Sequence, residues 1–459
     1  MKGTKKDPEK QEKPSDITST ITSFFHEFHL GTLLNRSGIA KVRGFSPTLL
    51  FHDIFTLPFV HKNLYQGIVR NTVIGYSKDV AYDFLKNPRY NWRKLLVMYA
   101  IKVSGYFAGL TEERRDNVLI IDDTLWDRSR SKSVELLARV FDHCTNTYRK
   151  GFRILSLGWS DGASFVPVDF ALLSSAKEKN RLQGITKRID KRTCGYGRRR
   201  EAMQPSTELL ESMIKRALSW GITAQYILMD SWFGFPSVIK TVSASLPVIC
   251  MIKKMPKVFY RFHGRHYTLT GLYACIKKRR GRARILASVT VTMSHGQTAK
   301  IVFVRDTRKK EWLALLSTDV ELPDTEIIRL YGKRWDIEVF FKMAKQHVNL
   351  ANGVHVRDFD GLIAHTTISM LRYIFIAFEK RINDDPRTLG ELFLAQCDEI
   401  NDLTLGDAFK RILALLKDLI QQSCRCSQCI IESMINEIVS ASDRFFIEHR
   451  LLAAESLGV

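Results

Sequence analysis

At 459 residues the chain is long enough for two or three domains and at least one large core. Its 70 Lys and Arg against 48 Asp and Glu give a formal net charge of +22, which is typical of a protein with a nucleic-acid partner. No run of 18 or more uncharged apolar residues exists and the N-terminus lacks an apolar signal core, which argues against a membrane-spanning or secreted protein. We therefore expect a soluble, cytoplasmic protein without a membrane partner.

The first 110 residues divide into two predicted parts. Residues 1–15 are polar and Lys-rich, which predicts a disordered basic tail. Residues 16–110 show helical patterns, and Pro88 ends one of the predicted helices. Short helices with Lys and Arg on their outer faces suit a domain that binds DNA ends. No helix-turn-helix spacing is clear, so a helical domain that only packs on the core is an open alternative.

An apolar strand that ends in two carboxylates follows. The segment NVLIIDDT ends in Asp122 and Asp123, and residues 151–173 predict a hairpin that turns at Ser160–Gly162. Because side chains alternate along a strand, Asp122 and Asp123 lie on opposite faces of the sheet. Both faces are apolar upstream, as in a sheet covered on both sides, so alternation does not say which Asp faces a site.

A basic segment and a helix-to-strand step come next. Seven cations and one Asp lie between Lys187 and Arg200, which predicts either a solvated loop or contacts with DNA phosphates. Residues 206–221 predict an amphipathic helix, and the strand AQYILMD then ends at Asp230. This alternation is typical of a mixed α/β sheet. Residues 235–320 alternate like β-structure, and residues 383–459 predict a helical C-terminal region.

The segment from Tyr331 to Leu350 predicts a helix with an unusual face. It contains no Pro, and its only Gly lies in the first turn. At about 100° per residue, one face carries a polar, mainly cationic stripe. The members of this stripe are Tyr331, Arg334, Glu338, Lys342 and Lys345. Flanking aromatic and aliphatic residues predict a mostly buried helix, and a buried charged stripe is costly without a partner. An anion held by the cations and a metal ion held by the carboxylate would be the simplest partner, whereas i,i+4 pairs on a surface helix are the ordinary alternative.

Three carboxylates lie at positions that a fold can bring together, two at the ends of predicted strands and one on a predicted helix. One of Asp122 and Asp123 follows the first strand, Asp230 follows a later strand, and Glu338 lies on the helix. Phosphodiester hydrolysis and strand transfer need a deprotonated nucleophile and a stabilised 3′ oxygen, which two divalent ions about 3.5–4 Å apart can provide. Mg²⁺ suits such a site because it takes oxygen ligands and accepts substrate phosphate as one of them. A single Asp at a strand end is more often a turn or cap residue, so the hypothesis depends on all three carboxylates together.

Tyr331, Arg334, Glu338 and Lys345 follow the spacing Y-x2-R-x3-E-x6-K. This spacing resembles the Y-R-E-K signature of the cut-and-paste DDE insertion-sequence transposases, and the resemblance covers residues from about 110 to 380. It implies an RNase H-like mixed-sheet core over residues 111–382, interrupted by a β-strand insertion at about 235–320. Helical N- and C-terminal regions would flank this α/β core.

The resemblance also implies roles for individual residues. The segments IDDT and MDSWFG resemble the first two motifs of the family, and the family's first carboxylate directly precedes Thr, which favours Asp123. Asp123, Asp230 and Glu338 would then be catalytic and hold two Mg²⁺ ions, with Mn²⁺ as a substitute. The DNA contacts that the resemblance implies are Tyr331, Arg334, Lys342, Lys345 and Trp312. Trp312 would stack on a base flipped out of the DNA, although a Trp in a strand is by default a core residue.

The expected protein is therefore a bacterial or archaeal transposase associated with the nucleoid. It would excise an insertion sequence and join it to target DNA, acting as a homodimer on paired terminal inverted repeats, with the helical C-terminal region a candidate for dimerisation. An RNase H-fold DNA nuclease without strand transfer is one alternative. A catalytically inactive, transposase-derived DNA-binding regulator is the other, and the intact carboxylates argue against it.

Eight cysteines are too few for a disulfide framework in a chain of this length, so we expect reduced thiols. Three of them, Cys424, Cys426 and Cys429, crowd into the segment SCRCSQC. They would bind zinc only if a fourth ligand came from elsewhere, since no second CxxC or nearby His has finger-like spacing. The ordinary alternative is a role as small, partly buried helix residues.

Overall fold

The computed structural model describes residues 19–41, 43–70, 75–110, 115–142, 145–185, 189–280, 283–306, 311–353 and 356–423, together with residues 433, 437 and 438. The chain divides into two compact units, one of Thr20–Leu394 and one of Met1–Ser19 with Ala395–Val459. The first unit carries the fold described below. The predictions for residues 1–15 and for the three clustered cysteines lie outside the described residues.

The elements of the chain follow the predicted order of helices, sheet and helices. The N-terminal helices are α1 (Thr20–Glu27), α2 (Leu30–Arg36), α3 (Pro47–Thr56), α4 (Lys78–Leu85) and α5 (Trp92–Gly109). The next elements are β1 (Val118–Asp127), β2 (Ala138–Asp142), β3 (Thr147–Ser160), β4 (Phe165–Leu173), α6 (Cys194–Ala202), α7 (Ser206–Ser219), β5 (Tyr226–Met229), α8 (Pro236–Ser243) and β6 (Val248–Ile252). They are followed by β7 (Phe259–Phe262), β8 (Arg265–Thr268), α9 (Leu269–Cys275), β9 (Ile285–Met293), β10 (Thr298–Asp306) and β11 (Glu311–Ser317). The last helices are α10 (Asp324–Gly332), α11 (Trp335–Gln346), α12 (Phe359–Ile382) and α13 (Leu389–Ser423).

One mixed sheet organises the larger unit. Among the described residues it has eleven strands in the order β2-β3-β1-β5-β6-β11-β10-β9-β7-β8, with β4 also paired to β3. Strand β3 is antiparallel to both β1 and β4, whereas β1, β5 and β6 are mutually parallel neighbours. The order β4-β3-β1-β5-β6 is that of an RNase H-like core, which confirms the predicted α/β fold class with helical flanks. The predicted hairpin is also confirmed, as β3 and β4 meet at a turn where Gly162 has a φ of 88°.

The β insertion begins later than the sequence pattern indicated. Strand β6 lies inside the predicted insertion of residues 235–320, but it pairs in parallel with β5 and so completes the core. The insertion proper therefore consists of β7–β11 with α9. Its last strand, β11, pairs antiparallel with β6, so core and insertion share one continuous sheet. Periodicity could not show this boundary, because a core strand and an insertion strand have the same alternation.

The single helix predicted from Tyr331 to Leu350 is interrupted. Helix α10 ends at Gly332, α11 begins at Trp335, and α11 ends at Gln346. Between the two helices, the Lys333 ammonium donates hydrogen bonds to the backbone carbonyls of Asp116 and Asp161. These contacts attach the interhelical junction to the start of β1 and to the β3–β4 turn. They fix where α11 begins, and with it the position of the residues on its first turn.

The N-terminal helices pack against α12. The rings of Phe24 and Phe375 lie 5.3 Å apart, and those of Phe28 and Phe378 lie 4.9 Å apart. Helix α12 is long and apolar enough to span a membrane by composition, but 94% of its apolar window is buried inside the protein. It is therefore a buried helix that closes the core. Whether residues 16–110 also bind DNA ends stays a prediction.

Candidate active site

Two carboxylates meet where the parallel strands β1 and β5 end. The register pairs Ile121 with Met229, so the next positions, Asp122 and Asp230, lie side by side. Neighbouring residues in parallel register point to the same face of a sheet. Both side chains line a cleft of about 570 Å³. The paired strand ends thus provide two oxygen donors from residues more than a hundred positions apart.

Helix α11 brings a third carboxylate to the same face. Arg334, at the N-terminus of α11, donates from Nη1 to Oδ2 of Asp122 at 3.1 Å. Its Nη2 donates to Oε1 of Glu338, one turn further along the helix. A single guanidinium therefore joins a carboxylate on β1 to a carboxylate on α11. We call Asp122, Asp230 and Glu338 the site carboxylates.

The environment of Asp122 disfavours its charged form. Burial raises the pKa of its carboxyl to about 7, and the charges of Asp123 and Asp230 add to this rise. The backbone N–H of Asp123, which donates to Asp122 at 2.8 Å, and the Arg334 guanidinium act in the opposite direction. A carboxyl with such a pKa is a frequent feature of functional sites, where negative groups are gathered before a cation binds.

Asp123 also lines the cleft, but on the other face of β1 and with a different arginine as its partner. Arg153 of β3 donates from Nε to Oδ2 of Asp123 at 2.8 Å and from Nη2 to its other oxygen. The same guanidinium donates from Nη1 to the backbone carbonyl of Phe141 at 2.7 Å. The bidentate pair occupies both carboxylate oxygens of Asp123, and only 8% of that side chain is exposed.

Of the two neighbouring carboxylates, Asp122 rather than Asp123 is the one that contacts α11, through Arg334. Asp122, Thr124 and Trp126 lie on the face of β1 that α11 and α12 cover, where they contact Arg334, Lys345 and His365 respectively. Asp123 lies on the opposite face. The order Asp-Thr in the sequence had favoured Asp123, but the pleat of β1 presents Asp122 to Glu338. The catalytic role of either residue stays a prediction.

The predicted DNA contacts on α10 and α11 lie near the site carboxylates. Lys345 lines the cleft and donates from Nζ to Oγ1 of Thr124 at 2.6 Å. Lys342 is exposed on α11. The ring of Tyr331, on α10, lies 5.8 Å from the Arg334 guanidinium carbon, and burial raises the pKa of its hydroxyl.

Trp312 lies elsewhere, on the insertion. Its ring stacks on that of Tyr273 at 4.6 Å between centroids and meets the ring of Phe303 edge to face. The Lys254 ammonium lies 4.4 Å above the Trp312 ring. The described residues that line the cleft do not include Trp312. The contacts are those of a half-buried packing residue with one face near a cation, so its role in stacking on a base stays a prediction.

The cleft also contains an aromatic residue that the sequence analysis did not single out. Trp232, two residues after Asp230, is 41% exposed and lines the cleft. The Lys253 ammonium, at the end of β6, lies 5.3 Å from its ring. The only signal in the sequence was the position of Trp232 directly after a strand that ends in a carboxylate.

Two cations of the predicted basic segment are buried rather than available to DNA. Arg198 donates to Asp360 at 2.6 Å, and Arg199 forms ion pairs with both Glu135 and Asp360 at 2.7 and 2.6 Å. The side chains of these four residues are at most 3% exposed. We call Glu135, Arg198, Arg199 and Asp360 the buried charge cluster. It fixes α6 to the N-terminus of α12.

The site carboxylates have the donor chemistry that a divalent cation needs. Hard cations such as Mg²⁺ bind carboxylate oxygens, and three carboxylates from three elements supply them. Among the described residues, however, no three His, Cys, Asp or Glu side chains lie close enough to form a metal site as they stand. The Arg334 guanidinium lies between two of the three carboxylates and accounts for part of this separation.

Comparison with known proteins gives one informative match. Residues 65–268 match the family described as DDE superfamily endonuclease, a segment that includes Asp122 and Asp230 and ends before Glu338. The match supports a nuclease or transposase of the DDE type over this segment. It covers fewer than half of the 459 residues.

Comparison with curated proteins and with solved structures gives no information about activity. No curated protein is similar in sequence. One solved structure, the C-terminal lobe of a budding yeast Argonaute, aligns with 84% of this chain and 80% of its own at 12% identity. Its TM-score of 0.19 is too low to support a shared fold.

Proposed function

We propose that this protein is a metal-dependent DNA transposase of the DDE type, which excises an insertion sequence and joins it to target DNA. The observation that carries the proposal is the convergence of three carboxylates from β1, β5 and α11. Asp122 and Asp230 line one cleft, and the Arg334 guanidinium joins Asp122 to Glu338. The family match to residues 65–268 and the Y-R-E-K spacing support it.

Asp122 takes the role that the sequence pattern assigned to Asp123. Its side chain shares a face of the sheet with Asp230 and shares the Arg334 guanidinium with Glu338. Asp123 already has both carboxylate oxygens engaged by Arg153 on the other face. The link through Arg334 to Glu338, which Asp123 lacks, is what favours Asp122 as the ligand from β1.

The site carboxylates would hold Mg²⁺, with Mn²⁺ as a substitute. Bound there, divalent ions would polarise the scissile phosphate and lower the pKa of an attacking water or 3′ hydroxyl. Lys345 and Lys253, which line the cleft, and Lys342 on the surface of α11 would contact the phosphates on either side of the cleaved bond. The net charge of +22 would attract DNA to this surface over long distances.

The assembly is part of the same proposal. Two copies would act on paired element ends, as the resemblance implies for this group of enzymes. Residues 16–110 would contact the terminal inverted repeats, and Trp312 would stack on a base displaced from the duplex. These three roles come from the family resemblance alone. They are independent of the assignment of the site carboxylates.

A pair of neighbouring substitutions tests the site. With Mg²⁺ and duplex DNA that carries the element ends, Asp122→Asn should abolish cleavage while the protein remains folded. Asp123→Asn should retain cleavage and lower the melting temperature, because Arg153 loses its bidentate partner. Cleavage that survives in Asp122→Asn and disappears in a folded Asp123→Asn would restore the original assignment.

A joining assay separates a transposase from a nuclease. A pre-cleaved element end is incubated with a supercoiled plasmid and Mg²⁺, and the joined product is measured. Cleavage without joining would indicate an RNase H-fold nuclease. Binding of the ends without either reaction, in Mg²⁺ and in Mn²⁺, would indicate a regulator that lacks catalytic activity.

A further inference from the structure

The position between Asp122 and Glu338 already holds a cation that belongs to the chain. The Arg334 guanidinium donates to Oδ2 of Asp122 at 3.1 Å on one side and to Oε1 of Glu338 on the other. The two carboxylates come from different elements, β1 and α11, so Arg334 spans the gap between them. A divalent ion that binds both carboxylates would need this same gap.

The surroundings hold Arg334 in place. Its side chain is only 14% exposed, and the ring of Tyr331 lies 5.8 Å from the guanidinium carbon. The residue immediately before it, Lys333, is anchored to the carbonyls of Asp116 and Asp161. The backbone before Arg334 is therefore anchored, and movement of the Arg334 side chain is the simplest way to free the two carboxylates.

Arg334 and a metal ion have incompatible requirements. Mg²⁺ needs its oxygen ligands at about 2.0–2.1 Å from a common centre. A guanidinium inserted between two carboxylates keeps their oxygens on opposite sides of a planar group. This agrees with the finding that no three acidic, His or Cys side chains among the described residues are close enough to hold a metal.

We propose that Arg334 occupies the metal position in the DNA-free protein and that a DNA phosphate draws it away, so that metal loading depends on substrate. This inference rests on the proposed function and adds a regulation to the same site. A phosphate offers Arg334 the same bidentate anionic geometry as a carboxylate, and the exposed Lys342 one turn beyond Glu338 would help to bring it there. Without DNA, the protein would then be protected against loading metal and cutting at random.

The first test measures metal binding without DNA. Free Mn²⁺ is followed by its electron paramagnetic resonance signal as it is titrated into the full-length protein. Arg334→Gln should bind Mn²⁺ at least about tenfold more tightly than wild type, because removal of a positive charge within a few ångströms strengthens cation binding. Arg216→Gln, which removes a partner of Asp169 on β4 away from the cleft, is the matched control and should leave the affinity unchanged.

Two further variants test whether the gain in Mn²⁺ affinity comes from the freed carboxylate and provide a substitute if Arg334→Gln does not fold. The double variant Asp122→Asn with Arg334→Gln should lose the gain, since the gain requires the freed carboxylate. Arg334→Lys, which keeps the charge, should show a smaller gain and replaces Arg334→Gln if the latter does not melt cooperatively. An affinity of the Arg334 variants that is equal to or weaker than wild type, or a gain that survives Asp122→Asn, would overturn the proposal.

The second test adds a duplex oligonucleotide that carries the element end. In wild type the DNA should tighten Mn²⁺ binding, and by linkage Mn²⁺ should tighten DNA binding by the same factor. In Arg334→Gln this coupling should be smaller, because only the contribution of DNA phosphate as a metal ligand remains, and coupling of equal size in both proteins would contradict the inference. A wild-type protein that cleaves DNA without these Arg334 effects would refute the inference alone. The Arg334 effects without any cleavage would refute the proposed function alone.

Discussion

The molecule contains two arginine–carboxylate assemblies of opposite character. In the buried charge cluster, Arg199 is 1% exposed and lies between Glu135 and Asp360, whose side chains are no more than 1% exposed. At the candidate active site, Arg334 likewise lies between two carboxylates, but Asp122 is 18% and Glu338 is 35% exposed. The two arrangements have the same chemistry and differ in access to solvent.

This difference in exposure separates a charge that must keep its partner for stability from a charge that can exchange its partner for a ligand. Inside the protein, a charge that loses its partner cannot be replaced by water, so the buried charge cluster must stay intact. At the half-buried candidate site, water or a ligand can reach each contact, so the pairing of Arg334 can be exchanged. Sequence composition counts both arginines equally, and only burial distinguishes the one that can exchange partners.

The largest expected effect comes from removing a charge at the half-buried assembly of the candidate active site. Glu338→Gln should lower metal-dependent cleavage by roughly 10⁴-fold, equivalent to about 5.5 kcal/mol of activation free energy, with the melting temperature nearly unchanged. Single-turnover cleavage and calorimetry on the same preparation would measure both. Near-wild-type cleavage by a folded Glu338→Gln would exclude this carboxylate as a metal ligand.

A pair of matched substitutions tests the comparison directly. Arg199→Met should cost about 3–5 kcal/mol of unfolding free energy, because it leaves Glu135 and Asp360 charged and buried. Arg334→Met should cost less, about 1 kcal/mol, because Asp122 and Glu338 are partly exposed and Asp122, with its raised pKa, can take up a proton. Denaturant unfolding of both variants provides the measurement. Equal losses would mean that the Arg334 assembly is as structural as the buried one.

The smallest expected effect concerns an exposed surface lysine on α11. Lys342→Ala, at an exposed position of α11, should reduce the slope of log affinity for DNA against log salt by about one. Lys215→Ala on α7, where the lysine pairs with Glu211, is the control and should leave the slope unchanged. Filter binding at several salt concentrations would show the difference. An unchanged slope for Lys342→Ala would place the DNA on another surface.

Much of the fold could be predicted because the patterns were local. The strand before Asp122, the hairpin of β3 and β4, the helix α7 and the strand before Asp230 all follow from alternation, turn residues and helix periodicity. The assignment of β6 could not be predicted in this way. Its membership of the core depends on parallel pairing with β5, which is a contact between distant segments.

Local sequence patterns could also not predict which of the two neighbouring aspartates faces α11. Alternation places Asp122 and Asp123 on opposite faces, but both faces of β1 are buried, so the sequence gives no sign of which face α11 covers. The deciding contacts, from Arg334 to Asp122 and from Arg153 to Asp123, join distant positions in the chain. Likewise, the break between α10 and α11 is fixed by the tertiary contacts of Lys333.

The continuity of the sheet between β6 and β11 has a consequence for solubility. Strand β6, with the apolar sequence VICMI, has β5 on one side and β11 on the other. Without the insertion, one row of its backbone N–H and C=O groups would be open, and an apolar open strand is a template for aggregation with another chain. The insertion therefore protects the core from self-association, and shortening it would be expected to yield aggregated protein before any effect on DNA could be measured.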